Sequence, residues 1–306
     1  IYIVPNNFVG PFPNPNNTVW APFATTYKFD KILPNAGLTF KFTPALSMFA
    51  SYAKGFSAPR TDNLYRAPRV TISPETTDAF DLGVRYTTSK IQAQATAWYI
   101  GYQNRIVTSF DQDAGISVDR NVGKVKTYGF DAGVGFKPIS EVFLYTFASY
   151  NHSKLQDDIQ IGTTNEANPA LRVPIFAPTS GKFVTETPKW SFGGRAQVEL
   201  GPVEIGGQVK YVGKRFATDV NDVITPSYTL VDLDARLNLE QWGLKKTYFQ
   251  MNVSNLFDKF YFGNISTQIN AGNVCPTGHT CAANNANPNF SIGAPRTVLG
   301  TLHIGF

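Results

Sequence analysis

Thr127-Tyr128-Gly129-Phe130-Asp131-Ala132-Gly133-Val134-Gly135-Phe136 alternates, residue by residue, between apolar side chains and small or polar ones. Successive side chains of a β-strand point to opposite faces, so a period of two describes a strand with one apolar and one polar face. The pattern recurs along the chain. Leu38, Phe40 and Phe42 alternate with Thr39, Lys41 and Thr43, and Phe80, Leu82, Val84 and Tyr86 with Asp81, Gly83 and Arg85. Trp190, Phe192, Ala196 and Val198 oppose Ser191, Arg195, Gln197 and Glu199. Val203, Ile205, Val209 and Tyr211 oppose Glu204, Gln208 and Lys210. Val231, Leu233, Ala235, Leu237 and Leu239 oppose Asp232, Asp234, Arg236 and Asn238, and the final strand sets Val298, Leu302, Ile304 and Phe306 against Thr297, Thr301 and His303.

About eleven strands are expected, over 35–43, 46–55, 76–88, 90–107, 124–137, 141–153, 188–200, 202–215, 226–240, 246–257 and 293–306. Most reach the ~9–11 tilted residues that cross a bilayer. The strand at 141–153 departs from the rule, with aromatics on both faces. The connections alternate in length. Pro44-Ala45, Ser89-Lys90, Pro138-Ile139-Ser140, Gly201 and Gln241-Trp242-Gly243-Leu244-Lys245 are short, whereas 56–75, 108–123, 154–187, 216–225 and 258–292 are long. Compact soluble β domains keep most loops short. Short turns at one rim and long loops at the other are the pattern of an outer-membrane barrel, with the long loops outside the cell.

Composition agrees. Of 306 residues, 42% are hydrophobic, 14% aromatic and only 16% charged, against about 25% charged in soluble domains. The mean hydropathy of -0.16 and the lack of any run near ~18–20 apolar residues exclude a bundle of membrane helices. A barrel averages a lipid face with a wet one. A net charge of +5 without a block of Lys/Arg gives no nucleic-acid footprint. Ile1 to Val4 runs into a Pro/Asn-rich stretch rather than a secretion signal. With the last strand ending in the periplasm, the first starts outside, and residues 1–34 become an external loop segment ahead of a barrel half over 35–306. Single-chain bacterial barrels have even strand numbers and periplasmic ends, so partner strands are expected before Ile1.

Four segments then resemble one family. Tyr52-Ala53-Lys54-Gly55-Phe56-Ser57-Ala58-Pro59-Arg60-Thr61-Asp62-Asn63-Leu64 resembles the stretch after a mid-barrel strand of TonB-dependent receptors. Pro74-Glu75 followed by Phe80–Tyr86 resembles their next landmark, with Asp81 where Glu is usual. Asn255-Leu256-Phe257-Asp258-Lys259-Phe260-Tyr261, and Ala294-Pro295-Arg296-Thr297 through Phe306, resemble their closing segments. The resemblance implies an all-β, 22-stranded antiparallel transmembrane barrel, of which this chain holds the last eleven strands. It also implies a plug domain that lies outside this chain, and energised import driven by TonB through that plug. Iron carried by a siderophore is the usual cargo. The rival readings are a passive porin-like channel and an outer-membrane adhesin or enzyme.

Phe306 resembles the terminal aromatic that barrel-insertion machinery reads. Cys275 and Cys281, the only cysteines, flank Pro276–Thr280, and in an oxidising compartment a local disulfide is expected. His279 between them invites a metal reading but lacks the three or four ligands required. Arg60, Tyr65, Arg66, Arg120 and Phe176 lie in long loops, where cations and rings bind anionic, aromatic ligands such as a ferric chelate; such residues also meet lipopolysaccharide phosphates. Asp232, Asp234 and Arg236 form a polar row suited to ion pairs facing a plug. His152 and His303 are isolated and no Ser/His/Asp set is found, so neither an enzyme nor a cofactor is expected. Trp20, Trp98, Tyr99, Trp190, Tyr211 and Trp242 are assigned mostly to aromatic girdles in contact with lipid.

Overall fold

The computed structural model describes residues 25–64, 72–111 and 116–305. β1 (Asn35–Lys41) pairs with β2 (Leu46–Ser57), and a helical turn, α1 (Thr61–Leu64), leads to the hairpin of β3 (Glu75–Thr87) and β4 (Ile91–Gln103). β5 (Ile106–Asp111) and β6 (Ile116–Asn121) pair only with each other, before β7 (Val125–Phe136) and β8 (Val142–Leu155). β9 (Ile159–Thr163) and β10 (Pro174–Ala177) form a second separate ribbon, then come β11 (Trp190–Leu200) and β12 (Val203–Val212). β13 (Arg215–Phe216) and β14 (Ile224–Thr225) form a third, followed by β15 (Tyr228–Asn238) and β16 (Tyr248–Ser254). β17 (Phe262–Ser266) and β18 (Asn289–Ile292) form the fourth, and β19 (Thr297–His303) ends the order.

The main sheet has 11 strands in the order β1-β2-β3-β4-β7-β8-β11-β12-β15-β16-β19, and every neighbouring pair is antiparallel. All the expected strands are in it. Their ends differ where backbone geometry intervenes. The strand expected to run to residue 107 stops at Gln103 because Asn104 takes φ 52°, a left-handed conformation that ends pairing. The tight turns have local chemistry. Thr43 Oγ1 accepts the Leu46 amide at 2.9 Å, Thr88 Oγ1 accepts that of Ile91 at 3.0 Å, and Gly201 supplies φ 62°. The long connections were expected as plain loops, yet four of them carry the accessory ribbons.

The apolar face of the sheet is open: Leu38, Leu82 and Val298 are 71%, 54% and 62% exposed. That much hydrocarbon is not left to water, so this face meets lipid. The polar face is the luminal one. On it Ser51 donates to Asp81 (2.9 Å), Arg85 donates to Gln94 (2.9 Å) and Gln208 donates to Asp232 (2.7 Å).

The irregular alternation of β8 also has a cause. Phe143, Tyr145 and Phe147 are on its luminal face, and each lies over a glycine of an adjoining strand. A Cβ added to Gly135 would sit 3.5 Å from Phe143, one on Gly133 3.2 Å from the Tyr145 hydroxyl, and one on Gly193 3.0 Å from Phe147. The same packing corrects one girdle assignment. Trp98 is luminal: it lies over Gly129, where a Cβ would come within 2.8 Å of the indole, and its Nε1 donates to Asp131 at 2.7 Å. Tyr99, Trp190 and Tyr211 share the outward face with Phe80, Tyr150 and Phe192, their ring neighbours. Trp20 lies outside the described residues.

Candidate functional site

Two surfaces carry the polar chemistry. The first is the luminal wall. Arg195 on β11 reaches across β12 to Asp234 on β15, with Nη1–Oδ1 at 2.6 Å and Nη2–Oδ2 at 2.9 Å. The bridge needs Gly206 on the intervening strand, because a Cβ there would collide with both partners. Arg236 adds a fork onto Gln250 Oε1 (2.8 and 3.1 Å), and Gln250 donates on to Asn252 (2.9 Å). Asp232 also accepts the Asn255 amide at 2.7 Å, fixing the end of β16. Side by side, these groups form a charge-balanced wall of donors and acceptors.

The second surface is the cap of long connections. Its apolar centre is Val122, Val125, Leu155 and Ile159, with Tyr102, Ile161, Val184 and Ile269 packed around it. Burial here comes from three different connections and the strand ends beside them, which explains why these loops take a defined form. Polar braces tie the rest. Arg120 donates to Asp219 at 2.6 Å, and the Asp219 side chain is only 4% exposed. Burial pushes the Asp219 carboxyl above its ordinary range, with Arg120 pulling the other way. Asn221 clamps both backbone groups of Phe183 (2.7 and 2.8 Å). Asp222 accepts the amides of Ala271 and Gly272, each at 3.0 Å, and the Thr218 hydroxyl. Burial raises the Asp222 carboxyl, and the Thr218, Gly272 and Ala271 donors together outweigh it, so its pKa falls below the usual carboxylate value.

The last connection is braced to the 154–187 region as well. Glu186 accepts the Ile265 amide (2.9 Å), and Glu166 accepts the Thr280 amide (3.0 Å) and faces His279 Nδ1 (3.3 Å). The Thr280 amide, followed by His279, holds the Glu166 carboxyl below its ordinary pKa. Cys275 and Cys281 are joined, with their Cα atoms 5.8 Å apart.

The sequence-expected ligand residues are not gathered into one pocket. Arg60 donates to both oxygens of Asp119 (2.8 and 2.9 Å), and the next residue, Arg120, bridges to Asp219. These two converge on β6. Phe176 stands half-exposed on β10, a different ribbon. Tyr65, Arg66 and Phe306 lie outside the described residues. Sequence reasoning missed Asp119, Asp219, Asn221, Asp222 and Glu186, whose partners are up to 99 positions away and leave no local spacing to read. The segment before β1 is anchored at the long-loop end: the Tyr27 hydroxyl donates to the Leu64 carbonyl (3.4 Å), and Phe29 tilts against Phe56. Among the described residues no cluster of His, Cys, Asp and Glu is arranged to hold a metal.

Comparison with known proteins agrees with this architecture. The family model described as TonB dependent receptor-like, beta-barrel, matches residues 7–272. The ferrioxamine receptor of Yersinia enterocolitica is 26% identical over 231 residues, covering 74% of this chain and 29% of that protein. The probable TonB-dependent siderophore receptor PiuA of Acinetobacter baumannii is 25% identical over 245 residues, 76% of this chain and 31% of its own length. The chain thus spans under a third of these two relatives. The solved PiuA structure superposes with a TM-score of 0.63 at 23% identity, over 88% of this chain and 35% of that one. The copper transporter OprC superposes with a TM-score of 0.60 at 18% identity, over 89% and 39%; at such identities the likeness is one of fold. With the family match over most of its length and an eleven-stranded antiparallel sheet that is apolar outside and polar inside, this chain belongs to the TonB-dependent receptor β-barrel family of the bacterial outer membrane.

Proposed function

We propose that this chain is part of the barrel of a receptor that takes up a ferric siderophore, or a similar iron chelate, with energy delivered by TonB. The observation that carries the reading is the luminal wall. Its Arg195–Asp234 ion pair, with the hydrogen bonds of Asp232 to Gln208 and of Arg236 to Gln250, forms a matched polar lining that suits a folded domain seated against it. A plugged barrel blocks passive flow, so transport through it must be driven. The ferrioxamine and siderophore receptors among the relatives supply the class of cargo.

In this reading the braced cap is the capture surface. Arg60, whose side chain is half exposed while it grips Asp119, and Phe176 offer a cation and a ring to an anionic chelate, with Tyr65, Arg66 and Arg120 as further contacts. TonB engages the plug, outside this chain. Phe306 serves as the signal for the insertion machinery. The test is uptake of radiolabelled ferric chelates by cells carrying the full-length receptor, with and without TonB. Saturable uptake that stops without TonB is expected. Non-saturable uptake indifferent to TonB would move the chain to the passive-channel class.

A further inference from the structure

The outward face of β2, β3, β4, β7 and β8 ends, on the long-loop side, in two rungs of different chemistry. The first is wholly aromatic: Tyr52, Phe80, Tyr99, Tyr128 and His152 are successive register neighbours. Ring centroids are 4.8 Å apart for Tyr52–Phe80 and 4.7 Å for Tyr128–His152. The next rung, two residues nearer the loops, reads Lys54, Asp78, Gly101, Lys126 and Lys154, and an isolated bridge adds Phe183 beside Lys154. Lys54 and Asp78 neutralise each other at 3.3 Å. Lys126 and Lys154 are left directly opposite one another, like charges that cross-strand pairing disfavours.

A third cation joins them. Lys154 Nζ and Lys189 Nζ lie 5.1 and 4.4 Å from the centre of the same Phe183 ring. Among the described residues, none of the three lysines has a carboxylate within 4.0 Å. Acids on adjoining elements are engaged elsewhere: Asp78 with Tyr52 and Lys54, Asp157 with the Lys124 amide, Glu186 with the Ile265 amide.

We propose that Lys126, Lys154 and Lys189 bind the phosphate groups of a phosphorylated glycolipid of the outer leaflet. The assignment rests on the outer-membrane placement of the barrel. Aromatic rungs mark the membrane interface, and two residues farther along a tilted strand is a rise of about 5 Å, into the head-group layer. Clustered like charges facing outward at that depth are stabilised by an anion held between them, and Phe183 holds two of the ammonium groups at fixed spacing. The aromatic rung beneath offers a surface for acyl chains, which a free phosphate would not use.

The test titrates the full-length receptor in mild detergent with bis-phosphorylated lipid A, with lipid A stripped of phosphate, and with inorganic phosphate, read by native mass spectrometry. One bound bis-phosphorylated lipid is expected. K126Q/K154Q/K189Q should weaken it about a hundredfold, at roughly fivefold per lysine. The matching Lys→Arg triple variant and K90Q at the opposite rim should leave it unchanged. If the triple Gln variant fails to fold, as judged by heat-modifiable gel mobility, K189Q alone, just ahead of β11, should cost about fivefold. Unchanged affinity in the Gln variants, or equal binding of the stripped lipid, overturns the proposal. Inorganic phosphate binding as tightly would make this a free-anion site and remove the lipid. Ferric chelate binding by the same variants is expected to persist, which separates this outcome from failure of the transport reading.

Discussion

Gly206 offers the sharpest test of the luminal wall. The Arg195–Asp234 pair crosses above it, and a Cβ at this position would stand 2.7 Å from Asp234 Oδ2 and collide with the guanidinium. Ordinary contact begins at 3.4 Å, so Gly206→Ala forces the carboxylate back by about 0.7 Å. The Nη2–Oδ2 distance of 2.9 Å then opens to roughly 3.6 Å, past hydrogen bonding. A hydrogen bond to a charged group contributes about 1.5–3 kcal/mol, and partial solvent access trims this, so a loss of about 1–2 kcal/mol is expected. Denaturant unfolding of the full-length protein, followed by tryptophan fluorescence, measures it. Repeating Gly206→Ala in an Arg195→Ala/Asp234→Ala background isolates the cause, since the obstructed pair is already gone and the added cost should drop below about 0.5 kcal/mol. An equal cost in both backgrounds would refute the claim that Gly206 is there to let the ion pair pass.

Other outcomes follow from the cap and the turns. The Cys275–Cys281 bond closes a short loop, so Cys275→Ser should lower local stability by about 2 kcal/mol without unfolding the sheet, read by hydrogen exchange confined to the last connection. The Asp222 carboxyl titrates below its unfolded value. Its contribution is therefore full above that value and lost as pH falls through the lowered one, and protection of the Ala271 and Gly272 amides should vanish in that acid range but persist in Asp222→Asn at reduced level. For topology, a thiol reagent on intact cells should label Gly162→Cys, on the exposed β9 ribbon, and spare Ile139→Cys in a short turn; the reverse pattern would invert the orientation.

The strands were legible because a two-faced sheet writes its period into every segment, and the alternation of short and long connections fixed which rim is which. Where alternation failed, at 141–153, the cause was non-local. Phe143, Tyr145 and Phe147 are luminal rings whose place is made by glycines on β7 and β11, and no single strand reveals that. The cap was illegible for a related reason. Arg60 and Arg120 stood out as loop cations, but Asp119 and Asp219, which hold them, carry no motif and lie far along the chain from one partner or the other. The ribbons escaped notice because two- to six-residue strands are too short to show a period. The disulfide needed only two cysteines and their compartment.

The pairing of luminal rings with glycines bears on clearance. A ring lying flat over a neighbour without a side chain takes the depth of one layer where a ring standing upright on a filled wall would take two. Phe49 over Gly83, Trp98 over Gly129, Tyr145 over Gly133, Phe143 over Gly135 and Phe147 over Gly193 thus join six strands of the inner wall, three giving rings and three giving glycines, while covering backbone that would otherwise be bare. The rings therefore fill the hollows that the glycines leave in that face. A side chain added at Gly129 or Gly193 would meet the backbone oxygen of Tyr150 or Val209 as well as the ring, so its cost would fall on the sheet itself and not on the ring alone.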